Sequence, residues 1–392
     1  MPADHITPIL GLGLAGIVLA LGPLAWIWVR HRDVAPGARL RALTVLTLFL
    51  TFDLVIFGAF TRLTDSGLGC PDWPGCYGHA SPVGAQGDIV QAQLMLPYGP
   101  VTPAKAWVEM VHRYLATGVG VLIIALLVAH VAAARRGVSR ASPAWAAATL
   151  GWVCLQGLFG ALTVTMKLYP AIVTAHLLGG IGLLILLAVQ VQRLQPEGVP
   201  LTGGLTAGAV VLAGLSAVQI ALGGWVSTHY AVLACSDFPT CQGSWWPAMD
   251  FGQGFSVLRE LGAAADGSYL PFTALTAIHY VHRLGAYVVL AGIALYAWRL
   301  RAHGGGRFRR WALAAAGIGL WQLASGLSNV LLGWPLIGAV AHTAGAAAWA
   351  VWLTVLLARA HHAAAPTPAS GAVGSAADTP ASVGPAQWRA VP

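Results

Sequence analysis

Four histidines lie inside apolar runs in two matched pairs, His112 with His176 and His282 with His342. An ionisable side chain in hydrocarbon is expensive to bury and by default marks a functional site. Each lies roughly six to twelve residues from the outer end of its run, or roughly 10 to 18 Å deep at about 1.5 Å per residue. The two members of a pair therefore share a depth. Two imidazoles on facing helices can grip an iron from opposite sides, and the core of a four-helix bundle is a common place for such a cofactor. Each half of the chain reads as a heme-sized pocket.

Around these histidines stand other groups with chemical potential. Glu109 precedes His112 by one helical turn on the same face, so a carboxylate of the kind that moves protons or stabilises a transient cation stands beside the first pocket. The second half has His279 in its place. That asymmetry assigns catalysis to the first half and a resident cofactor to the second. Arg113 and Arg283 follow the histidines directly, point elsewhere around the helix, and can reach propionates near the outer surface. Gly160, Gly179, Gly180, Gly285, Gly326 and Gly345 allow helices or a flat macrocycle to approach closely. Cys70 with Cys76, and Cys235 with Cys241, have a Cys-x5-Cys spacing compatible with a bridge inside each copy; cross-pairing and thiol exchange remain open. Cys154 reads as a small apolar residue, and Asp53 has no visible partner within its run.

The elements that must position these groups are membrane helices. The chain has 392 residues, 57% hydrophobic and only 9% charged, with a mean hydropathy of +0.72, whereas soluble proteins carry about 25% charge. Soluble-enzyme and nucleic-acid readings are thereby excluded, and the net charge of +8 resides in short connectors. Nine spans are expected, roughly 6–29, 40–60, 106–133, 144–166, 170–191, 205–228, 271–298, 311–332 and 336–357. The arginine-rich connectors alternate, so the positive-inside rule puts the N-terminus outside, the C-terminus inside and the long connectors 61–104 and 229–270 outside.

Those two connectors carry an internal repeat. Cys70-Pro-Asp-Trp-Pro-Gly-Cys76-Tyr-Gly is echoed by Cys235-Ser-Asp-Phe-Pro-Thr-Cys241-Gln-Gly, and Gln156, Gly160 and His176 by Gln322, Gly326 and His342. The expected fold is all-α and membrane-integral: two four-helix bundles related by a pseudo-twofold axis along the membrane normal, plus one extra N-terminal helix. The divisions are 1–39 for the extra helix and its connector, 40–195 and 196–360 for the halves, and 361–392 for a disordered cytoplasmic tail.

In this arrangement the chain resembles the heme A synthases from about Leu40 to Leu357. The resemblance rests on Thr61-Arg-Leu-Thr-Asp-Ser-Gly-Leu-Gly-Cys70-Pro-Asp-Trp-Pro-Gly-Cys76, Glu109-x-x-His112-Arg113, Thr174-Ala-His176, His279-x-x-His282-Arg283 and Ala341-His342, in that order. It implies that His282 and His342 hold heme b, that heme o binds between His112 and His176, that Glu109 is catalytic, and that Cys70 and Cys76 form a disulfide. The implied reaction oxidises the C8 methyl of heme o, through a hydroxymethyl stage, to the formyl group of heme a. The implied setting is the inner membrane of a bacterium, with the cysteine loops in the periplasm. Expected partners are the enzyme that supplies heme o, an unidentified electron donor, cytochrome c oxidase assembly factors and a second copy of the chain. The rival readings are a di-heme cytochrome relaying electrons to or from quinone, a quinone-linked disulfide oxidoreductase, and a transporter.

Overall fold

The computed structural model describes residues 6–138, 140–264 and 267–364. Eleven α-helices are seen there: α1 Ile6–Arg30, α2 Pro36–Leu63, α3 Gln86–Met95, α4 Pro103–Arg135, α5 Pro143–Thr165, α6 Pro170–Leu194, α7 Gly203–Thr228, α8 Phe251–Gly254, α9 Phe272–Ala302, α10 Gly305–Leu331 and α11 Leu336–Ala364. Proline opens α2, α4, α5 and α6, where its missing N–H costs nothing. Thr102, Ser142 and Thr202 cap α4, α5 and α7 by accepting hydrogen bonds from Lys105, Trp145 and Leu205.

Eight of these helices are long and apolar enough to cross a membrane, and the chain is a multi-pass membrane protein. The expected ninth span, α10, is a full helix of 27 residues but falls outside that set. Gln322, Ser325, Ser328 and Asn329 dilute its apolar character, and the first two bond to His342 on α11. The sequence reading also missed α3, α8 and the 3₁₀ turn Ala231–Leu233 within the outer connectors, all shorter than a span. At the other end α11 continues through Ala364, so the first four residues assigned to a disordered tail are helical. The remainder of that tail, 365–392, lies outside the described residues.

The helices pack as two rings. In the first, α2 contacts α4, α4 contacts α5, α5 contacts α6 and α6 returns to α2; in the second, α7, α9, α10 and α11 close in the same order. The rings meet through α2 and α6 on one side and α7 and α11 on the other, around Ile181, Leu184, Ala347 and Ala350. The extra helix α1 packs on α4, with Gly16 against Thr117 and Gly118 against Leu19. Small residues that let backbones approach are the usual means of helix association in lipid.

The basic connectors gather at one end of the molecule. Arg359 near the end of α11 pairs with Glu197 between α6 and α7 at 2.8 Å, and Arg307 donates to the carbonyl of Gly198. At the opposite end the halves are joined through Tyr230, whose hydroxyl donates to Asp65 at 2.5 Å, and through Arg62, which donates to the carbonyl of Ser227. Burial pushes the Asp65 carboxyl upward, but hydrogen bonds from Tyr230 and Lys105 and the charges of Lys105 and Arg62 outweigh it, leaving the group below its ordinary range.

Candidate functional site

His112 on α4 and His176 on α6 come from diagonal helices of the first ring, and His282 on α9 and His342 on α11 from diagonal helices of the second. Each histidine lies six to ten residues inside the outer end of its helix, which is about 9 to 15 Å of rise. His112 is within Coulombic range of His176, and His282 of His342. All four side chains are half-buried.

A glycine on a neighbouring helix faces each imidazole. A Cβ at Gly58 of α2 would lie 3.2 Å from His112 Cε1, and one at Gly160 of α5 would lie 3.5 Å from His176 Cε1. In the second ring the distances are 3.1 Å from Gly223 of α7 to His282 and 3.2 Å from Gly326 of α10 to His342. The fourfold pattern keeps the rings free of a side chain at Cε1. Gly58 and Gly223 escaped the sequence reading, although each stands twelve residues before the first cysteine of its loop.

This donor set fits a metal carried in a macrocycle. Among the described residues no three His, Cys, Asp or Glu side chains group closely enough to hold a bare ion, whereas paired imidazoles from diagonal helices suit the two axial positions of an iron porphyrin. In the first ring the Nδ1 atoms of His112 and His176 are buried without a protein hydrogen-bond partner, an arrangement that leaves those imidazoles free to serve a ligand.

Above each ring lies a disulfide loop, and the sequence alternatives are resolved in favour of bridges within each copy: Cys70 bonds to Cys76 and Cys235 to Cys241. The loops share a bonding pattern. Cys76 and His79 exchange two backbone hydrogen bonds, as do Cys241 and Ser244. Asp72 accepts from the N–H groups of Tyr77 and Gly78, and Asp237 from those of Gln242 and Gly243. The hydroxyl of Thr240, with those N–H groups, holds the Asp237 carboxyl down at about 2.

The two arginines fasten these loops to the histidine-bearing helices. Arg113 Nη1 donates to the carbonyls of Asp72, Pro74 and Gly75, and Arg283 to those of Asp237, Thr240 and Cys235. Both are buried. These carbonyls are available because the loops fold back over α4 and α9 within reach of the guanidinium groups.

Glu109 is 4% exposed and belongs to the same fastening. Its Oε2 accepts from Cys70 N–H at 2.7 Å, and its Oε1 pairs with Arg113. It therefore links the first disulfide to the helix that carries His112. Asp53 is exposed on α2, and Cys154 is a free, exposed cysteine on α5.

Comparison with known proteins places the chain in a family. Residues 41–356 fit the COX15-CtaA family, described as cytochrome oxidase assembly protein. The heme A synthase of Shewanella oneidensis is 35% identical over 306 residues, covering 77% of this chain and 91% of the relative. Those of Mesorhizobium japonicum and Halalkalibacterium halodurans are 29% and 25% identical, covering 80% and 77% of this chain and 88% and 91% of theirs. Nearly all of the matched region lies in the two rings and their loops, and the chain belongs to the COX15-CtaA family of cytochrome oxidase assembly proteins.

Proposed function

We propose that this chain is a heme A synthase, oxidising the C8 methyl of heme o to a formyl group, with heme o held in the first ring and heme b in the second. The observation that carries the reading is the duplicated pair of diagonal histidines, each facing a glycine, with an acid beside only the first pair. Family membership and the heme A synthase relatives support the reaction.

Heme b, when bound by His282 and His342, supplies a one-electron relay from an external donor. The work of the chain itself is binding, orientation and proton handling. His112 and His176 would hold the substrate's iron, and Gly58 and Gly160 keep side chains away from their imidazoles. The disulfide loop is drawn onto α4, the helix that carries His112, by Arg113 and Glu109. Glu109 stands one turn from His112, where a carboxylate can accept a proton or offset positive charge during oxidation of the methyl group.

The loops face the periplasm of a bacterial inner membrane and the C-terminus faces the cytoplasm. The gathering of arginine-rich connectors at one end and disulfides at the other supports that orientation. The enzyme that supplies heme o, an electron donor and oxidase assembly factors are the partners this activity requires.

The second reading is the di-heme electron carrier, in which Glu109 does no more than fasten its loop, as His279 does in the second half. Expression in a host that makes heme o but no heme a separates the two. Heme a, or its hydroxymethyl precursor, in the extracted pigment establishes the synthase; unchanged heme o and heme b, with reductant and oxygen supplied, establish the carrier.

A further inference from the structure

The two rings differ at the back of their histidines. In the second ring both Nδ1 atoms have a protein partner: Ser325 Oγ lies 3.0 Å from His342 Nδ1, and the Gln219 amide nitrogen, a donor, lies 3.0 Å from His282 Nδ1. The Ser325 hydroxyl donates to the carbonyl of Trp321 at 2.7 Å, so its oxygen is left to accept from an Nδ1–H. The Gln219 amide also donates to the backbone carbonyl of His282 at 2.9 Å, anchoring it to the helix whose ring it touches. In the first ring His112 Nδ1 and His176 Nδ1 have no protein partner.

The sequence explains the difference. Ser325 directly precedes Gly326, the glycine that faces His342; the residue directly before Gly160 is Phe159. Gln219 stands four residues before Gly223, and Leu54 stands four residues before Gly58. Both substitutions replace a hydrogen-bonding side chain with one that has none. A ligating imidazole whose other nitrogen donates a hydrogen bond is fixed in tautomer and rotation and is a more basic ligand, and losing such a partner typically costs 10- to 100-fold in metal affinity.

We infer that Ser325 is a positioning residue that fixes the His342 ring for a permanently held heme, while Phe159 at the matching place leaves His176 untethered so that the first ring takes up and releases its macrocycle. The inference rests on the proposed division of hemes between the rings and deepens it. A substrate must leave after oxidation and a relay must stay.

The test uses the full-length protein in a His112→Ala background, so that the second-ring heme alone is read, in a host without heme o. Ser325→Ala is expected to keep a low-spin, two-histidine spectrum. Its midpoint potential should rise, because a less basic imidazole stabilises ferric iron less, and heme transfer to a scavenging apoprotein should accelerate by about 10- to 100-fold. Ser325→Thr, which retains the hydroxyl, should restore both properties. In a separate His282→Ala background, Phe159→Ser should slow heme loss from the first ring.

Unchanged potential and unchanged transfer rate in Ser325→Ala, with the His282-dependent heme present, overturn the positioning role while leaving the division of hemes intact. A heme in the His112→Ala protein that survives His282→Ala unaltered overturns the division itself, and the inference with it.

Discussion

Glu109 and His279 occupy the same place in the two halves and receive the same backbone group: Cys70 N–H donates to Glu109 Oε2 at 2.7 Å, and Cys235 N–H to His279 Nδ1 at 3.4 Å. Each also meets the arginine one turn on, Arg113 or Arg283. Fastening the loop is thus common to both halves, and a carboxylate is special to the first.

Glu109→His tests which property turnover needs. It supplies the first half with the fastening residue of the second, so the loop should stay ordered while oxidation of heme o falls by about 100-fold or more, the range expected for loss of a proton-transfer group. The check is heme composition by extraction and chromatography, beside limited proteolysis of the loop. Full turnover by Glu109→His would reduce Glu109 to a fastener.

Replacing Arg283 by leucine leaves the carbonyls of Cys235, Asp237 and Thr240 without that donor. Destabilisation on the order of 3 kcal/mol is expected, since buried carbonyls left unpaired each cost about 1 to 3 kcal/mol. Thermal unfolding of the purified protein measures it. A shifted heme potential with unchanged stability would instead return Arg283 to propionate binding.

Removing the first disulfide by Cys70→Ser with Cys76→Ser should lower stability by about 2 kcal/mol, as expected for a short closed loop. It should also reduce turnover, because Cys70 N–H is the group that Glu109 holds. The equivalent change at Cys235 and Cys241 should lower stability alike and spare more turnover. Melting curves and heme analysis of both double variants provide the comparison.

Asp237 predicts an acid response of the second loop. Its carboxyl is held at about 2, below the ordinary 3.8, by the Thr240 hydroxyl and then by loop N–H groups. A depressed carboxyl stabilises the folded loop fully above its unfolded value, and that contribution is lost as pH falls through the folded value. Loop protection from an acid protease should therefore hold above about pH 4 and decline towards pH 2. Asp237→Asn should flatten that decline, and an equally steep one would contradict the assignment.

Much of this architecture was legible in sequence because hydropathy and duplication report on it directly. The histidine pairs, their depth and the loop cysteines stood out as matches between copies. Ser325 and Gln219 did not, because they are positions where the copies disagree, and comparison by likeness passes over Phe159 and Leu54. Arg113 and Arg283 were visible as residues, but their partners are loop carbonyls, and no side-chain pattern records where a backbone carbonyl will fall. The helix α10 reads as a marginal span because Gln322 and Ser325 serve His342 rather than lipid.

The most direct test of the account is the heme content of the purified wild type, His112→Ala and His282→Ala proteins from a host that makes both heme b and heme o. His112→Ala is expected to keep heme b and lose heme o and its oxidation products, while His282→Ala loses heme b. The opposite pattern, heme b lost with His112 and heme o lost with His282, would contradict the division of labour between the two rings.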